Sequence, residues 1–346
     1  MKIIIFAGGV GKRLWPLSTK KAPKQFQKLF GDETSLENSY RIIKEMFDEN
    51  DIFVCTNEAY SDQVYDVIPN LPRENLIIEP ESRDTGPAIA NAMKFIAQKF
   101  PNEPVVIRWQ NSLIKDTEAF LNALKDAKDV FEKKEGKFVY LCVPARYANT
   151  GVGYIKFGKK VRDTQNSMGI FEFEGFTEKP DLETATKYVQ SGNYGWNPGC
   201  YVTTPQFVLE ELKRVNPEFY NNLEEGKFSK LEKISIDYLL WEHLNPQNIK
   251  VVLAEYGWYY VSTWKDLKIA LENNPTDNVT KGQVFSFDSN NNLAFNFEDK
   301  LVTLLGMENV AVINTPNATL VLNMEKAGDV KKLLEKLEEN NLDNFL

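Results

Sequence analysis

Apolar positions in the first part of the chain alternate between short runs and helical spacing. Residues 3–6 (IIIF) form a run too short for a helix and predict a buried strand. Leu36, Tyr40, Ile43, Met46 and Phe47 recur at helical intervals and predict a helix over 35–46. The same reading predicts strands at 51–55, 76–78, 105–109 and 138–143. Helices are predicted at 60–67, 87–100 (opened by Pro87) and 117–134. Alternating strands and helices imply an α/β fold with a mainly parallel sheet covered on both faces. In such sheets ligands bind beyond the carboxyl ends of the strands, where residues 8–13, 79–87 and those after Val106 fall.

Beyond Pro144 the alternation weakens. Residues 149–155 predict a turn and strand, 159–169 a loop, 171–177 a strand, and 182–191 a helix stopped by Gly192. Trp196-Asn197-Pro198-Gly199 leads into a strand, 207–215 is helical, and Ser235-Ile236-Asp237-Tyr238 opens a helix reaching His243. Residues 251–255 predict a strand and 258–264 an aromatic-rich loop. From about Asn278 the pattern becomes short β-runs (VFSF, LAFNF, LVTLLG, VAVIN, TLVL) broken by turns, and 329–339 reads as an amphipathic helix. Two domains are expected: 1–274, and a small β domain with a closing helix at 278–346.

The first strand runs directly into Ala7-Gly8-Gly9-Val10-Gly11. Glycine permits close backbone approach to a ligand. Lys12, Arg13 and then Lys24 add fixed cations, a combination that suits a polyphosphate. It is neither a Walker loop, since Arg13 follows Gly11-Lys12, nor a GxGxxG turn, since the third glycine is missing.

With 346 residues, 42% hydrophobic and 26% charged, the chain reads as globular. Its formal charge of −8 argues against nucleic acid as the main partner but leaves a single nucleotide open. No apolar stretch is long enough to span a membrane, and no cleavable signal pattern opens the chain. Cys55, Cys142 and Cys200 lie far apart outside any CxxC, so buried free thiols and a cytoplasmic setting are expected. His243, the single histidine, offers neither a zinc cluster nor a Ser–His–Asp arrangement and reads as structural.

The longer string GGxGxR, Trp15-Pro16-Leu17-Ser18 and Pro23-Lys24-Gln25-Phe26 resembles the signature of the sugar-phosphate nucleotidylyltransferases, and its last two pieces resemble the mannose-1-phosphate guanylyltransferase branch. Further motifs extend the resemblance over nearly the whole chain. Glu79-Pro80 with Arg83-Asp84-Thr85-Gly86-Pro87-Ala88 is similar to EP…R(N/D)TAPA, with Gly86 where alanine is usual. Asn149-Thr150-Gly151-Val152-Gly153-Tyr154 is similar to TGYGYI, with Val152 in place of tyrosine. Glu178-Lys179-Pro180, Trp196-Asn197-Pro198-Gly199 and Ser235-Ile236-Asp237-Tyr238 with Glu242 also match.

The resemblance implies a Rossmann-like, GT-A-like nucleotidyltransferase domain followed by a left-handed β-helix-like domain with a closing helix, as in the shorter members. It implies that Gly8, Gly9, Gly11, Lys12, Arg13, Lys24, Glu79, Pro80, Asp84, Thr85 and Asn111 bind the nucleotide, with Arg13 and Lys24 serving catalysis. Gly151, Glu178, Lys179, Asn197 and Asp237 would bind the sugar phosphate. The implied reaction is attack of mannose 1-phosphate on the α-phosphorus of GTP, giving GDP-mannose and pyrophosphate, with Mg²⁺ as cofactor. Partners are then GTP, mannose 1-phosphate or GDP-mannose, with the β domain a candidate homodimer surface.

Two departures bear on the metal. The family's PADH aspartate aligns with Asn111 in Trp109-Gln110-Asn111-Ser112, and its WSDLGNW aspartate with Tyr260. A neutral amide and a protonated phenol replace the carboxylates expected to hold Mg²⁺, so the metal ligands are unknown, with Asp237 and Glu255 as candidates. Three readings stand: an active mannose-1-phosphate guanylyltransferase; a catalytically silent relative that keeps nucleotide or sugar-nucleotide binding and regulates a partner; and a nucleotidylyltransferase for another sugar phosphate or for UTP or dTTP.

Overall fold

The structure, a computed structural model, describes residues 1–346. It divides into two compact units: residues 1–8, 39–110 and 114–258 form the first, and residues 9–38, 111–113 and 259–346 the second.

In chain order the strands through residue 260 are β1 (Lys2–Phe6), β2 (Ile52–Asn57), β3 (Leu76–Glu79), β4 (Val105–Trp109), β5 (Ser112–Ile114), β6 (Phe138–Pro144), β7 (Tyr154–Arg162), β8 (Gly169–Thr177), β9 (Tyr194–Trp196), β10 (Tyr201–Thr203), β11 (Ile249–Leu253) and β12 (Trp258–Tyr260). All but β5 and β12 join one sheet in the order β3-β2-β1-β4-β10-β6-β9-β7-β8-β11, with β11 also pairing with β6. The pairs β1–β2, β1–β4 and β2–β3 are parallel. Beyond β4 antiparallel pairs enter, as β10 runs against both β4 and β6. Register places Phe6 opposite both Cys55 and Trp109, and Asn57 opposite Glu79. The carboxyl ends of β1 to β4 are thereby level, and the motif-bearing loops leave from that edge.

Ile3, Ile4 and Ile5 are fully buried, each contributing about 1.5–3 kcal/mol of transfer free energy. Helix Thr85–Ala97 begins before Pro87 because Asp84 accepts the Thr85 N–H at 2.7 Å. The expected helix reaching His243 is instead one α-turn, Ile236–Leu239, and a 3₁₀ turn, Trp241–His243, broken at Leu240 (φ −140°). Leu239, Leu240 and Trp241 are consecutive and all buried, which a helix with one apolar stripe cannot satisfy. The aromatic stretch expected as a loop opens with strand β12, and β7 extends to Arg162 in place of the loop expected there. Cys55, Cys142 and Cys200 are buried free thiols, and no helix is long and apolar enough to cross a membrane.

The second unit is built on a β-coil of β13 (Val279–Lys281), β14 (Val284–Phe287), β15 (Leu293–Asn296), β16 (Val302–Leu305), β17 (Val310–Asn314) and β18 (Thr319–Asn323), closed by helix Val330–Glu339. Strands β14 and β16 pair in parallel with Val284 opposite Val302, and β15 and β17 with Leu293 opposite Ala311. Both pairs advance 18 residues per turn. Buried asparagines stack at that interval: Asn314 Nδ2 donates to Asn296 Oδ1 at 2.7 Å, and Asn296 Nδ2 donates to Gln283 O at 3.1 Å and to Lys300 O at 2.5 Å. Trp15 packs in this unit's core with Trp264, Phe295 and Leu334. Trp264 Nε1 donates to Trp15 O at 2.9 Å, and Trp15 Nε1 to Phe345 O at 2.8 Å.

Asn296→Ala leaves the buried Asn314 amide without its acceptor and removes the side-chain donor to the Gln283 and Lys300 carbonyls. It is expected to cost about 1–3 kcal/mol of unfolding free energy in urea. An unchanged midpoint would show that the ladder does not hold the coil.

Candidate active site

In the second unit the glycine turn closes on a lysine. Gly11 has φ +81° and ψ 39°, and a Cβ there would lie 2.7–2.8 Å from the Lys24 stem. No other residue fits without displacing that stem. The Lys24 N–H donates to Val10 O at 3.2 Å and the Ser18 hydroxyl donates to the same carbonyl, folding residues 10–24 back on themselves. Lys12 is exposed and Arg13 half-buried. Burial first, and the Arg13 charge second, lower Lys24 to about 8. Two cations held this way are stabilised by an anion between them. Asn111 lies in the same unit, where its carbonyl accepts from the Val261 N–H at 3.1 Å. That contact brings Asn111 beside Tyr260, the other departing position.

In the first unit Glu79 ends β3 and is 6% exposed, with Oε2 3.0 Å from where a side chain on Gly8 would begin. Burial, reinforced by the charge of Asp84, raises Glu79 to about 7. Asp84 holds φ 71° and ψ −178°, a backbone state that costs on the order of 1–3 kcal/mol for a residue with a side chain. Thr85 Oγ1 accepts from the Ile236 N–H at 2.9 Å, and the Gly86 N–H donates to Ile234 O at 3.0 Å. A Cβ on Gly86 would lie 2.7 Å from that carbonyl, which explains glycine where the family pattern has alanine. The loop after β3 and the segment around Asp237 are thus tied together, while Pro80 is exposed.

A second cluster joins motifs from β7, β8 and the loop before β10. Lys179, at φ +45°, donates to Glu178 Oε1, and Glu178 Oε2 packs against the Gly153 backbone. Gly153 O accepts from the Asn197 N–H at 2.8 Å. The Asn197 side chain donates to Tyr201 Oη at 3.1 Å and accepts from the Gly199 N–H at 3.0 Å. Gly151 lies on the exposed turn, its N–H bonded to Asn149 Oδ1 at 2.8 Å. Asp237 Oδ1 is buried with no hydrogen-bond partner. Burial, then the Glu178 charge, raise Asp237 to about 7. Sequence reasoning missed Tyr140 and Tyr201. Both are buried phenols pushed well above their ordinary value by burial and the nearby Asp237 charge, but their positions in β6 and β10 read only as core. His243 is exposed and apart from these groups.

The nucleotidyl transferase family profile matches residues 2–273, and that of the MannoseP isomerase/GMP-like beta-helix domain matches residues 282–337. A mannose-1-phosphate guanylyltransferase of Salmonella montevideo is 33% identical over 98% of this chain and 74% of its own length. The chain belongs to the mannose-1-phosphate guanylyltransferase branch of the nucleotidyl transferases. The alginate biosynthesis protein AlgA of Pseudomonas aeruginosa is 32% identical over 97% of this guanylyltransferase-family chain and 72% of its own length. A Thermus thermophilus structure described as a mannose-1-phosphate geranyltransferase aligns with TM-score 0.86 at 28% identity, covering 97% of this chain and 99% of that one.

Members of this branch are expected to use Mg²⁺, but the donors present do not fit it. Asn111 and Tyr260 supply a neutral amide and a phenol, and no group of three His, Cys, Asp or Glu side chains gathers to hold a metal ion. Glu255 is engaged by Arg146 at 3.3 Å and by the Gly257 N–H at 2.9 Å.

Asp237 and Glu79 bind protons more tightly in the folded chain than in the unfolded one. Their favourable contribution is therefore present at low pH and is lost as pH rises from the ordinary carboxylate range toward 7. Between pH 5 and 8 the wild-type chain is expected to lose about 1–2 kcal/mol more unfolding free energy than Asp237→Asn. Parallel urea-stability profiles would show that Asp237 titrates as an ordinary carboxylate.

Proposed function

We propose that the chain transfers a guanylyl group from GTP to mannose 1-phosphate, releasing pyrophosphate and forming GDP-mannose, in a cytoplasmic setting. The observation that carries this reading is the 33% identity to a mannose-1-phosphate guanylyltransferase over 98% of this chain and 74% of the relative. The Gly11–Lys24 loop supports it with two close cations suited to a triphosphate.

In this reading a phosphate oxygen of the sugar phosphate attacks the α-phosphorus in line, the α–β P–O bond breaks, and pyrophosphate leaves. The protein neutralises charge and aligns two anions, and supplies no nucleophile. Arg13 and Lys24 neutralise the triphosphate, with Lys12 and the backbone of Gly8, Gly9 and Gly11 beside it. Glu79, Pro80, Asp84, Thr85 and Asn111 complete the nucleotide side. Lys179 meets the sugar phosphate, and Glu178, Asn197, Asp237 and Gly151 meet the sugar. Asp237, raised to about 7, populates both protonation states near neutrality and so can donate to or accept from a hydroxyl.

A second reading, a catalytically silent nucleotide-binding relative, is favoured by the neutral pair Asn111 and Tyr260. Pyrophosphate release from GTP and mannose 1-phosphate with Mg²⁺ present separates the two. Strong wild-type turnover eliminates the silent reading. Activity that appears only in Asn111→Asp combined with Tyr260→Asp eliminates the active one, and a marked preference for UTP over GTP would reject the guanylyl assignment.

Arg13→Ala is expected to weaken GTP binding roughly 10- to 100-fold by calorimetry, the value of a charge-assisted contact. Unchanged affinity would remove Arg13 from the site.

A further inference from the structure

Arg108 lies in β4 and is 3% exposed. Its neighbour Ile107 belongs to the main core of the first unit, so strand alternation turns Arg108 to the opposite face of the sheet. There its Cζ lies 4.8 Å from the centre of the Phe120 ring, and Phe120 meets Tyr256 edge-on at 5.3 Å between ring centres. Phe120 and Tyr256 are each 1% exposed, and Cys200 3%. Both Nη atoms of Arg108 are buried without an acceptor, and the Tyr256 hydroxyl is buried without a partner.

The acidic groups that act on this guanidinium are the Cys200 thiol and the Tyr256 phenol. Neither supplies negative charge near neutrality. Burial pushes Cys200 up to about 12 and Tyr256 well above its ordinary value. Arginine keeps its proton in proteins. The result is a permanent buried cation with no counter-charge and no bonded acceptor at its Nη atoms, and an aromatic face beside it. The Phe120 ring offsets part of the charge but accepts no strong hydrogen bond. An ion withdrawn from water without a counter-charge is costly. A water molecule would supply an acceptor and leave the charge uncompensated, whereas an anion supplies both. A one-atom anion also needs little more room than a water molecule, which suits a site closed by four buried side chains.

We propose that Arg108 forms the floor of a buried anion site in the first unit, taking one small monovalent anion of the halide class between its guanidinium and the Tyr256 hydroxyl. Nothing in the proposed guanylyl transfer uses this group. The site lies behind Cys200, directly after the Asn197-Pro198-Gly199 loop.

Crystals of the full chain grown in sodium bromide and measured at the bromine edge are expected to show an anomalous peak within hydrogen-bonding reach of an Arg108 Nη atom. In solution, replacing gluconate by bromide at constant sodium is expected to raise the thermal midpoint by about 2–4 °C at tenfold saturation. Arg108→Met should abolish that difference, and Tyr256→Phe should reduce it. Water alone, or the Cys200 Sγ, against the Nη atoms without anomalous signal would overturn the proposal, as would an equal bromide effect in Arg108→Met. The crystal measurement uses the unaltered chain, so it decides the question even if the methionine variant fails to fold.

Discussion

Charge held away from water is the constraint on which the candidate site residues of each unit depend. Lys24 sits near 8, and Glu79 and Asp237 near 7, and in each case burial is the leading cause. Burial disfavours the charged form of each of these groups. An anion beside Arg13 and Lys24 relieves the repulsion between them and draws Lys24 back to its charged form. A hydroxyl offered to the unpartnered Asp237 Oδ1 does the same for that carboxyl. In the proposed function, desolvation suffered on folding would be returned on binding, which is how a preorganised site favours a charged ligand over water.

Such close placement of side chains against backbone requires that some Cβ atoms be missing. Gly11 allows the Lys24 stem to pass beneath the turn, and Gly86 allows the start of its helix to reach the carbonyl of Ile234. The Trp15 part of the signature string serves differently. It is buried in the core of the second unit and bonded to both Trp264 and Phe345. The string therefore codes for the attachment of the glycine-rich loop to its supporting unit, and not only for the ligand contact proposed for it.

Apart from the three-residue β5, which no period marks, the strands and helices through Val143 were legible because each has a single period, and the level ends of β1 to β4 follow from a parallel register. The segment from Ile236 to His243 was not, because three consecutive buried residues carry no helical or strand period. From its residues alone the β-coil reads as separate runs, and only the family resemblance implies a β-helix-like domain there. Its 18-residue repeat is written in the spacing of Asn296 and Asn314, but polar residues in strands read as solvent-facing unless a ladder is sought. Ligand motifs were legible only as an ordered set. The ties from Thr85 and Gly86 to the Ile234–Ile236 segment, and the phenols of Tyr140 and Tyr201 near Asp237, need tertiary structure. Arg108 offered no signal beyond an arginine in an apolar strand.

Asn111 and Tyr260 are separate departures along the chain but one departure in space, because the Val261 N–H bonds to Asn111 O. Two carboxylates at adjoining positions repel unless a dication lies between them, and one would have to take up a proton near neutrality. A chain that binds a metal there gains from the pair, and a chain that does not is destabilised by it. Replacing one aspartate alone would leave a partly buried carboxylate with neither metal nor partner. The neutral amide and the phenol avoid that repulsion without a metal. In the proposed transfer, electrostatic stabilisation falls to fixed cations such as Arg13 and Lys24 to a degree that a magnesium-bridged site would not require.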